Sequence, residues 1–190
     1  MNEFMEFMIE TSARHVHVTK EDLEILFGSG YELTKKKDLS QPGQFASNEK
    51  VEVKGERGSL SFSILGPVRK ETQVELSLSE ARALGIVAPV RESGDLKDAG
   101  KCTIIGPKGE LAKEHAAIAA KRHIHMTPED AKNFNVNNGD IVKVETNSDG
   151  RKLIFDDVVI RVSDNYALAM HIDTDESNAS VGSNKGHIVQ

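Results

Sequence analysis

The chain has 190 residues, of which 28% are charged and 5% aromatic, and its formal net charge is −6. This acidic balance argues against general nucleic-acid binding, which depends on Lys and Arg side chains that neutralise phosphates. No apolar run approaches the roughly 20 residues that a membrane-spanning helix needs, and a single cysteine excludes an internal disulfide framework and favours a reducing, cytoplasmic setting.

The first half of the chain begins with a predicted short strand that carries a His-x-His pair, His15 and His17. Thr19 follows at a helix N-cap position, and the predicted helix covers residues 20–27 before Gly28. The other predicted elements of this half are two alternating strands and a strand that runs into a helix start: residues 50–54, 60–65 and 73–81.

The same order of elements recurs in the second half. The phrase RHVHVTKED, which begins at Arg14, returns as RHIHMTPED from Arg122, with identical residues at six positions. The remaining elements predicted here are residues 128–134, 141–146, 153–155 and 169–177. The repeat indicates an internal duplication into two modules of roughly 80 to 100 residues. Many short Val- and Ile-rich runs separated by glycine predict small β-barrels with short helical caps.

Both predicted helices are expected to begin with a capping box. Thr19 and Thr127 stand at the N-cap, and Asp22 and Asp130 stand three residues later, where a carboxylate can accept backbone N–H groups. Pro128 lies at the first helical position, where its missing N–H costs nothing.

The two His-x-His pairs are the strongest candidate functional residues. On a strand, side chains at i and i+2 leave the same face with Cα atoms roughly 6.5 Å apart, so two imidazoles can bind one ion at about 2.1 Å. A single pair is more typical of an exposed strand face or of two hydrogen-bonded histidines. Two pairs in equivalent positions, His15 with His17 and His123 with His125, favour two metal half-sites.

A third ligand for each pair follows from the repeat. Aligning residues 73–81 with residues 169–177 places Glu75 opposite His171. The resulting sets are His15, His17 and Glu75, and His123, His125 and His171. Exchange of ligands between the halves remains an alternative. Three protein ligands with a fourth position open are typical of a catalytic zinc ion.

Other side chains that could bind metal are interpreted as structural. Cys102 precedes a predicted Thr-Ile-Ile strand and is expected to be a small buried hydrophobic residue. His115 lies in what we interpret as an Ala-rich connecting segment, and His187 lies near the C-terminal end. Neither histidine is assigned to a metal.

Basic residues cluster at residues 35–37 and at residues 69–70. A lysine run is usually a solvated loop. Arg69 lies six residues before Glu75, after a Gly66-Pro67 turn, and a guanidinium beside two cations is suited to bind phosphate through two parallel hydrogen bonds.

Six segments make the chain similar to a known family: SARHVHVT, LTKKKDLSQPGQFA, ILGPVRKETQVELS, APVRESGD, KRHIHMTPEDA and MHIDTDESNA. They resemble those of the propanediol-utilisation-type phosphate propanoyltransferases, which are zinc-dependent phosphotransacylases. The resemblance covers residues 9–179. It implies a reaction between an acyl-CoA and phosphate that gives an acyl phosphate and free coenzyme A.

The resemblance also implies a fold of two pseudo-symmetric β-barrels, in which the N-terminal strand joins the C-terminal half. Residues 1–13 with 121–190 are expected to form one barrel and residues 14–120 the other, with a dinuclear metal site between them.

Carried over by residue, the resemblance implies one zinc ion in each three-ligand set, with Arg69 as the catalytic residue that positions phosphate. Ser12 and Asn178 match positions near coenzyme A, and Lys36 lies in a run able to meet its phosphates. Ala13 departs from the family, where many members have Asn, which puts local coenzyme contacts in doubt but changes no ligand.

The expected function is direct, metal-assisted attack of phosphate on the thioester of a short-chain acyl-CoA, such as propanoyl-CoA or acetyl-CoA. A binuclear zinc hydrolase is one alternative, and it explains the ligands but not the basic residues. A non-catalytic metal-binding module is the other, and open coordination positions beside Arg69 argue against it.

The sequence leaves several properties open: acyl-chain preference, the native metal, the physiological direction of the reaction and whether the chain forms a homo-oligomer. Some members of the family are directed into bacterial microcompartments by a longer N-terminal extension. Here the apolar stripe formed by Phe4, Met5, Phe7 and Met8 is too short to predict encapsulation.

Overall fold

The structure is a computed structural model that describes residues 5–189, and these residues form mainly β-strands. The strands are β1 Glu6–Thr11, β2 His15–His17, β3 Lys35–Asp38, β4 Phe45–Lys54, β5 Ser59–Gly66, β6 Gln73–Glu75, β7 Val90–Arg91, β8 Gly100–Ile105, β9 Glu110–Ala120, β10 His123–Met126, β11 Ile141–Thr146, β12 Ile154–Val162, β13 Ala169–Ile172 and β14 Lys185–Val189. The helices are α1 Lys20–Phe27, α2 Leu78–Leu84, α3 Pro128–Phe134 and α4 Thr174–Ala179.

The described residues divide into two compact units. The first unit contains the residues up to Ser12, the short segment Ser40–Pro42, and the residues from Lys121 onwards. The second unit contains Ala13–Leu39 and Gly43–Ala120. The segment Ser40–Pro42 is held in the first unit by Gln41, whose side-chain amide exchanges two hydrogen bonds with the backbone of Ala167.

The first unit is a closed barrel of six strands in the order β1, β13, β10, β12, β11 and β14. Strand β14 pairs with β1 and closes the ring. Its core consists of apolar side chains that alternate with outward-facing residues along the strands, together with one residue of helix α3. The buried members are Phe7, Ile9, Ile124, Met126, Ala131, Val144, Phe155, Val158, Ile160, Met170 and Ile172.

The second unit is also a closed ring of six strands. Strands β4, β5, β2, β6, β9 and β8 pair in that order, and β8 returns to β4, while β3 and β7 add to β4 and β9. The core of the described residues contains seventeen buried side chains, from strands, from helices α1 and α2, and from the connections next to them. Among the most deeply buried are Val16, Leu23, Leu26, Phe62, Ile64 and Leu84.

The two barrels repeat one pairing plan, which confirms the predicted fold of two duplicated β-barrels. In each barrel the His-x-His strand is parallel to one neighbour and antiparallel to the other. Strand β1 in the first barrel occupies the place that β9 occupies in the second. Each of these two strands directly precedes the His-x-His strand of the opposite barrel along the chain.

Helix α3 begins with the expected reciprocal capping box, but helix α1 does not. The Thr19 side chain accepts the Asp22 N–H, as expected, whereas the Thr19 N–H is bound by the Thr72 hydroxyl. The Asp22 carboxylate accepts the Thr72 hydroxyl and pairs with Lys113 at 2.5 Å. The predicted second half of this box was wrong because two neighbours from other elements bind the carboxylate.

Two segments differ from the sequence interpretation. The segment around His115 is not a connection but part of β9, in which Ala116, Ala117, Ile118 and Ala119 are buried and His115 is exposed. The lysine run is an exposed strand, β3, rather than a loop.

Single residues near the N-terminus and in β8 also have defined places. Cys102 is buried within β8, in the core of the second barrel. Phe7 lies in the core of the first barrel and Met8 is exposed, while Phe4 lies outside the described residues. None of the helices in residues 5–189 is long and apolar enough to cross a membrane.

Candidate functional site

The first candidate metal site lies on β2 and β6 of the second barrel. His15 and Glu75 are direct cross-strand partners, and His17 follows two residues after His15. Val16, between the two histidines, points into the core and is fully buried, so both imidazoles leave the barrel on its outer face. The three side chains are themselves largely buried, and one ligand atom from each lies within 4.8 Å of the others.

The spacing of these atoms fits a tetrahedral ion. The Nε2 atoms of His15 and His17 are 3.2 Å apart, and two ligands at zinc-nitrogen bonds of about 2.1 Å and a tetrahedral angle would be about 3.4 Å apart. Glu75 places its oxygens 3.5 Å from Nε2 of His15 and 3.9 Å from Nε2 of His17. The Nδ1 of His15 lies 2.9 Å from the Ala13 carbonyl oxygen, a contact that holds the proton on Nδ1 and leaves Nε2 for a metal.

The electrostatics of this site favour a cation. Burial would raise the pKa of Glu75, but the charge of His15 and its hydrogen bond outweigh burial and hold that pKa well below its usual range. Burial, together with the charges of His15 and Arg69, holds the pKa of His17 well below its usual value. Burial would lower the pKa of His15, but the charge of Glu75 and its hydrogen bond outweigh burial and raise it. Glu75 is thus an ionised carboxylate and His17 a neutral imidazole, and a cation that binds here would replace the proton of His15.

A hydrogen-bond network connects this site to Arg69. The Arg69 Nη1 donates to the Ser93 hydroxyl at 3.3 Å, and the Ser93 hydroxyl donates to Glu75 at 2.8 Å. Gln73 donates to the same Glu75 oxygen at 2.5 Å and to Ser93 at 2.9 Å, while its carbonyl oxygen accepts the Gly94 N–H. The network fixes the carboxylate and places a half-buried guanidinium two hydrogen bonds away from it.

The second candidate metal site lies on β10 and β13 of the first barrel. His123 is the direct cross-strand partner of His171, in the register that pairs His15 with Glu75 in the other barrel. The ring centroids of His123, His125 and His171 are 4.6 to 5.3 Å apart. One ligand atom from each ring lies within 4.8 Å of the others.

The ring of His123 is oriented in the same way as that of His15. Its Nδ1 lies 2.8 Å from the Lys121 carbonyl oxygen, which leaves Nε2 for a metal. The ring of His125 packs against Tyr166, with centroids 4.2 Å apart. The chemistry of three imidazoles suits zinc, copper, iron or nickel.

The residues predicted to contact coenzyme A lie in different parts of the fold. Ser12 directly follows β1, and its N–H donates to the Ile172 carbonyl. Asn178 is exposed on helix α4. Lys36 is exposed in β3, at the point where the register with β4 shifts by an extra residue. The role of these three residues stays a prediction.

Two residues of the network were missed in the sequence. Gln73 precedes Glu75 by two positions on the same strand, so the alternation of side chains could have indicated that both lie on one face. Ser93 belongs to a loop after β7, and no local pattern indicates which side chain a loop residue will meet.

Comparison with known proteins gives a consistent result. A sequence profile described as phosphate propanoyltransferase matches residues 8–183. A phosphate propanoyltransferase from Thermotoga maritima is 54% identical over 175 residues, which cover 92% of this chain and 83% of that protein. The proteins of the same name from Clostridioides difficile and Leptotrichia buccalis are 50% and 54% identical, over 96% and 91% of this chain and 87% and 82% of theirs.

Proposed function

As a member of the phosphate propanoyltransferase family, the chain is an acyltransferase, and we propose that it interconverts a short-chain acyl-CoA and phosphate with an acyl phosphate and coenzyme A. Propanoyl-CoA and acetyl-CoA are the proposed acyl donors. The observation that supports a phosphate-dependent reaction most directly is the connection of Arg69, through Ser93, to the carboxylate of a three-ligand set.

Each three-ligand set is proposed to hold one zinc ion. The ligands are His15, His17 and Glu75 in one set and His123, His125 and His171 in the other. Bound zinc would supply a Lewis acid for the negative charge that develops on the thioester oxygen, and a soft acceptor for the leaving thiolate.

Arg69 is the proposed phosphate-binding residue. Ser93 holds its guanidinium beside the first set. The positive charge of Arg69 acts to lower the pKa of both histidines of that set. A planar guanidinium can bind two phosphate oxygens at once, which fixes the orientation of the nucleophile as well as its position. Positioning of this kind converts a bimolecular encounter into an effectively intramolecular one.

The proposed reaction needs no covalent acyl-enzyme. A serine nucleophile requires a base within hydrogen-bond reach, and the Ser93 hydroxyl donates to Glu75. Burial would raise the pKa of Glu75, but the charge of His15 and its hydrogen bond hold this pKa far below its usual range. The carboxylate is therefore a weak base. Phosphate itself is therefore the proposed nucleophile.

A steady-state assay with propanoyl-, acetyl- and butanoyl-CoA, each with and without phosphate, tests the function. The expected result is release of coenzyme A that requires phosphate and is matched by an equal amount of acyl phosphate. Release of coenzyme A at the same rate without phosphate would favour a zinc hydrolase. A zinc-loaded chain that releases no coenzyme A from any of the three donors would favour a non-catalytic metal-binding module.

A further inference from the structure

The two candidate metal sites differ in the residue beside the third ligand. In the second barrel, Glu75 has Ile118 of β9 as its parallel-strand partner. In the first barrel, the equivalent partner of His171 is Glu10 of β1. The carboxylate ligand Glu75 therefore has an apolar neighbour, Ile118, on the adjacent strand. The imidazole ligand His171 has a carboxylate neighbour, Glu10.

Glu10 faces the imidazole of His171. Its Oε2 lies 3.7 Å from the His171 Nδ1, and the two side chains are 28% and 15% exposed, so solvent screens this interaction only in part. Phe7 and Ile9 point into the core on the same strand, which places Glu10 on the outer face that carries the three histidines.

The position of Glu10 is itself held by a second contact. The hydroxyl of Ser40 donates to the same Oε2 at 2.5 Å. Ser40 belongs to the short segment Ser40–Pro42, which leaves the second unit of the chain and is anchored in the first by the paired hydrogen bonds between Gln41 and Ala167. This three-residue segment therefore places the Ser40 hydroxyl against the carboxylate that faces His171.

The two ligand sets also differ in charge, because only one of them contains a carboxylate ligand. The set of the second barrel contains one carboxylate ligand, and the residues that orient it, Gln73 and Ser93, are neutral. The set of the first barrel contains three imidazoles and no carboxylate ligand. Glu10 gives this set one negative charge from outside the ligands, so each site has one carboxylate to offset the charge of a divalent ion.

We propose that Glu10 is a positioning residue of the three-histidine site, held by Ser40. Its carboxylate keeps the proton of His171 on Nδ1, leaves Nε2 for the metal, and makes the imidazole a stronger donor. This inference rests on the proposed function, because it assumes that zinc binds at this site.

The test measures zinc affinity of the three-histidine site alone, by competition with a chromophoric chelator. Full-length chains that carry His15→Ala and His17→Ala leave only this site complete. In that background, Glu10→Ala is expected to weaken zinc binding by about 10- to 100-fold and Glu10→Gln by less, because the amide oxygen still presents a partial negative charge to Nδ1 of His171. Ser40→Ala is expected to act in the same direction by a smaller factor.

Glu6→Gln is the matched control, because Glu6 lies on the same strand and the same outer face but pairs with Lys185 and Asn147. This control should leave zinc affinity within about twofold. The reciprocal background, His123→Ala with His125→Ala, provides a second control in which Glu10→Ala should leave zinc affinity at the other site unchanged. When the chain with both ligand sets intact is titrated with zinc, Glu10→Ala should weaken the binding of one of the two ions.

A spectroscopic reading separates positioning from a loss of folding. Cobalt(II) at the three-histidine site should show a shifted visible absorption band in Glu10→Ala, since the donor strength and orientation of His171 change while the ligands stay the same. Unfolding midpoints of the metal-free variants should match that of their parent.

The outcomes distinguish this inference from the proposed function. Zinc affinity and cobalt spectrum unchanged in Glu10→Ala would overturn the role of Glu10 alone. A parent chain that binds no zinc at the three-histidine site would overturn both the role of Glu10 and the metal assignment beneath it. Weakened zinc binding in Glu10→Ala, together with an unsubstituted chain that binds zinc but has no acyl-transfer activity, would support Glu10 and contradict the proposed function.

Discussion

At Arg69 the contributions of charge and shape can be separated by substitution. Arg69→Lys keeps the charge but loses the planar pair of donors, and Arg69→Ala loses both. Because a charge-assisted hydrogen bond contributes about 1.5 to 3 kcal/mol, we expect Lys to slow the reaction on the order of tenfold or more and Ala to slow it further. Phosphate affinity should fall while zinc content stays constant.

The measurement is the rate against phosphate concentration for the three proteins. Lys70→Ala is the matched control, since Lys70 is the adjacent basic residue and is exposed. Normal phosphate saturation and a normal rate in Arg69→Ala would place the anion site at other residues.

The histidines of each set allow a second prediction at this scale. His15→Ala and His123→Ala should each abolish turnover and weaken binding of one zinc ion, because each removes a ligand from a different set. Neither should unfold the protein, since the ligands lie outside the two apolar cores. Metal analysis, circular dichroism and the acyl-transfer assay test this together, with His115→Ala, exposed on β9, as the control. Substantial turnover in either variant would mean that its metal is not catalytic.

At the scale of elements, Glu49 of β4 fixes the loop that leads into the lysine strand β3. Its buried carboxylate accepts hydrogen bonds from the Tyr31 hydroxyl at 3.0 Å and from the Thr34 hydroxyl at 2.6 Å, as well as from the Thr34 N–H. Burial would raise the pKa of Glu49, but the hydrogen bonds from Thr34 outweigh it, and the pKa is lowered in the folded protein.

This arrangement predicts a pH-dependent contribution to stability. Glu49→Gln should lower the free energy of unfolding by about 1 to 3 kcal/mol near pH 7, because the amide places a donor where an acceptor is needed. Since the folded-state pKa lies below the unfolded value of about 4.3, the difference between the two proteins should be full above that pH and shrink as the pH falls through the folded-state pKa.

Urea denaturation of both proteins at pH 7 and at about pH 3 measures the change. Glu52→Gln, an exposed carboxylate of the same strand, serves as the control. A difference between Glu49→Gln and the parent that is the same at both pH values would contradict the role assigned to the ionised carboxylate.

Elements were predicted correctly where signals within their own residues determine the structure. Helix α1 has the predicted bounds because its cap, its apolar face and the glycine that ends it are all local signals. Strand β9 was missed because alanine has little strand preference, and only pairing with β6, β7 and β8 determines its conformation. The lysine strand β3 was missed for the same reason: its pairing with β4 is not visible in its own residues.

In the candidate sites, the third ligands could be predicted from the sequence, but the residues that contact them could not. Glu75 and His171 could be named because the duplication supplies an internal alignment, and the structure places them in equivalent registers. The position of Glu10 is taken by Ile118 in the other barrel, and Ser93 lies in a loop, so the repeat indicates neither residue. Such residues depend on which loops and strands meet, and this is decided by the tertiary fold.

For the whole molecule, we expect the purified chain to contain close to two zinc equivalents. Removing them with a chelator should lower the unfolding temperature, because an ion that binds only the folded state stabilises it by mass action, by about 4 kcal/mol when free zinc is 1,000 times the dissociation constant. Metal analysis and thermal unfolding with and without added zinc test this. One zinc equivalent, or none, would contradict the assignment of two sites.

The exchange of strands between the barrels sets an order of events during synthesis on the ribosome. All six strands of the second barrel lie between residues 15 and 120, so this barrel can close as soon as β9 has emerged. Strand β1 is made first, yet its residue Ile9 pairs with Met170, 161 positions later. At a synthesis rate of about 5 to 20 residues per second, β1 waits roughly ten to thirty seconds for this partner. During that time Phe7 and Ile9 have no barrel in which to be buried, and the nascent chain carries an unpaired apolar strand that is able to pair with other chains.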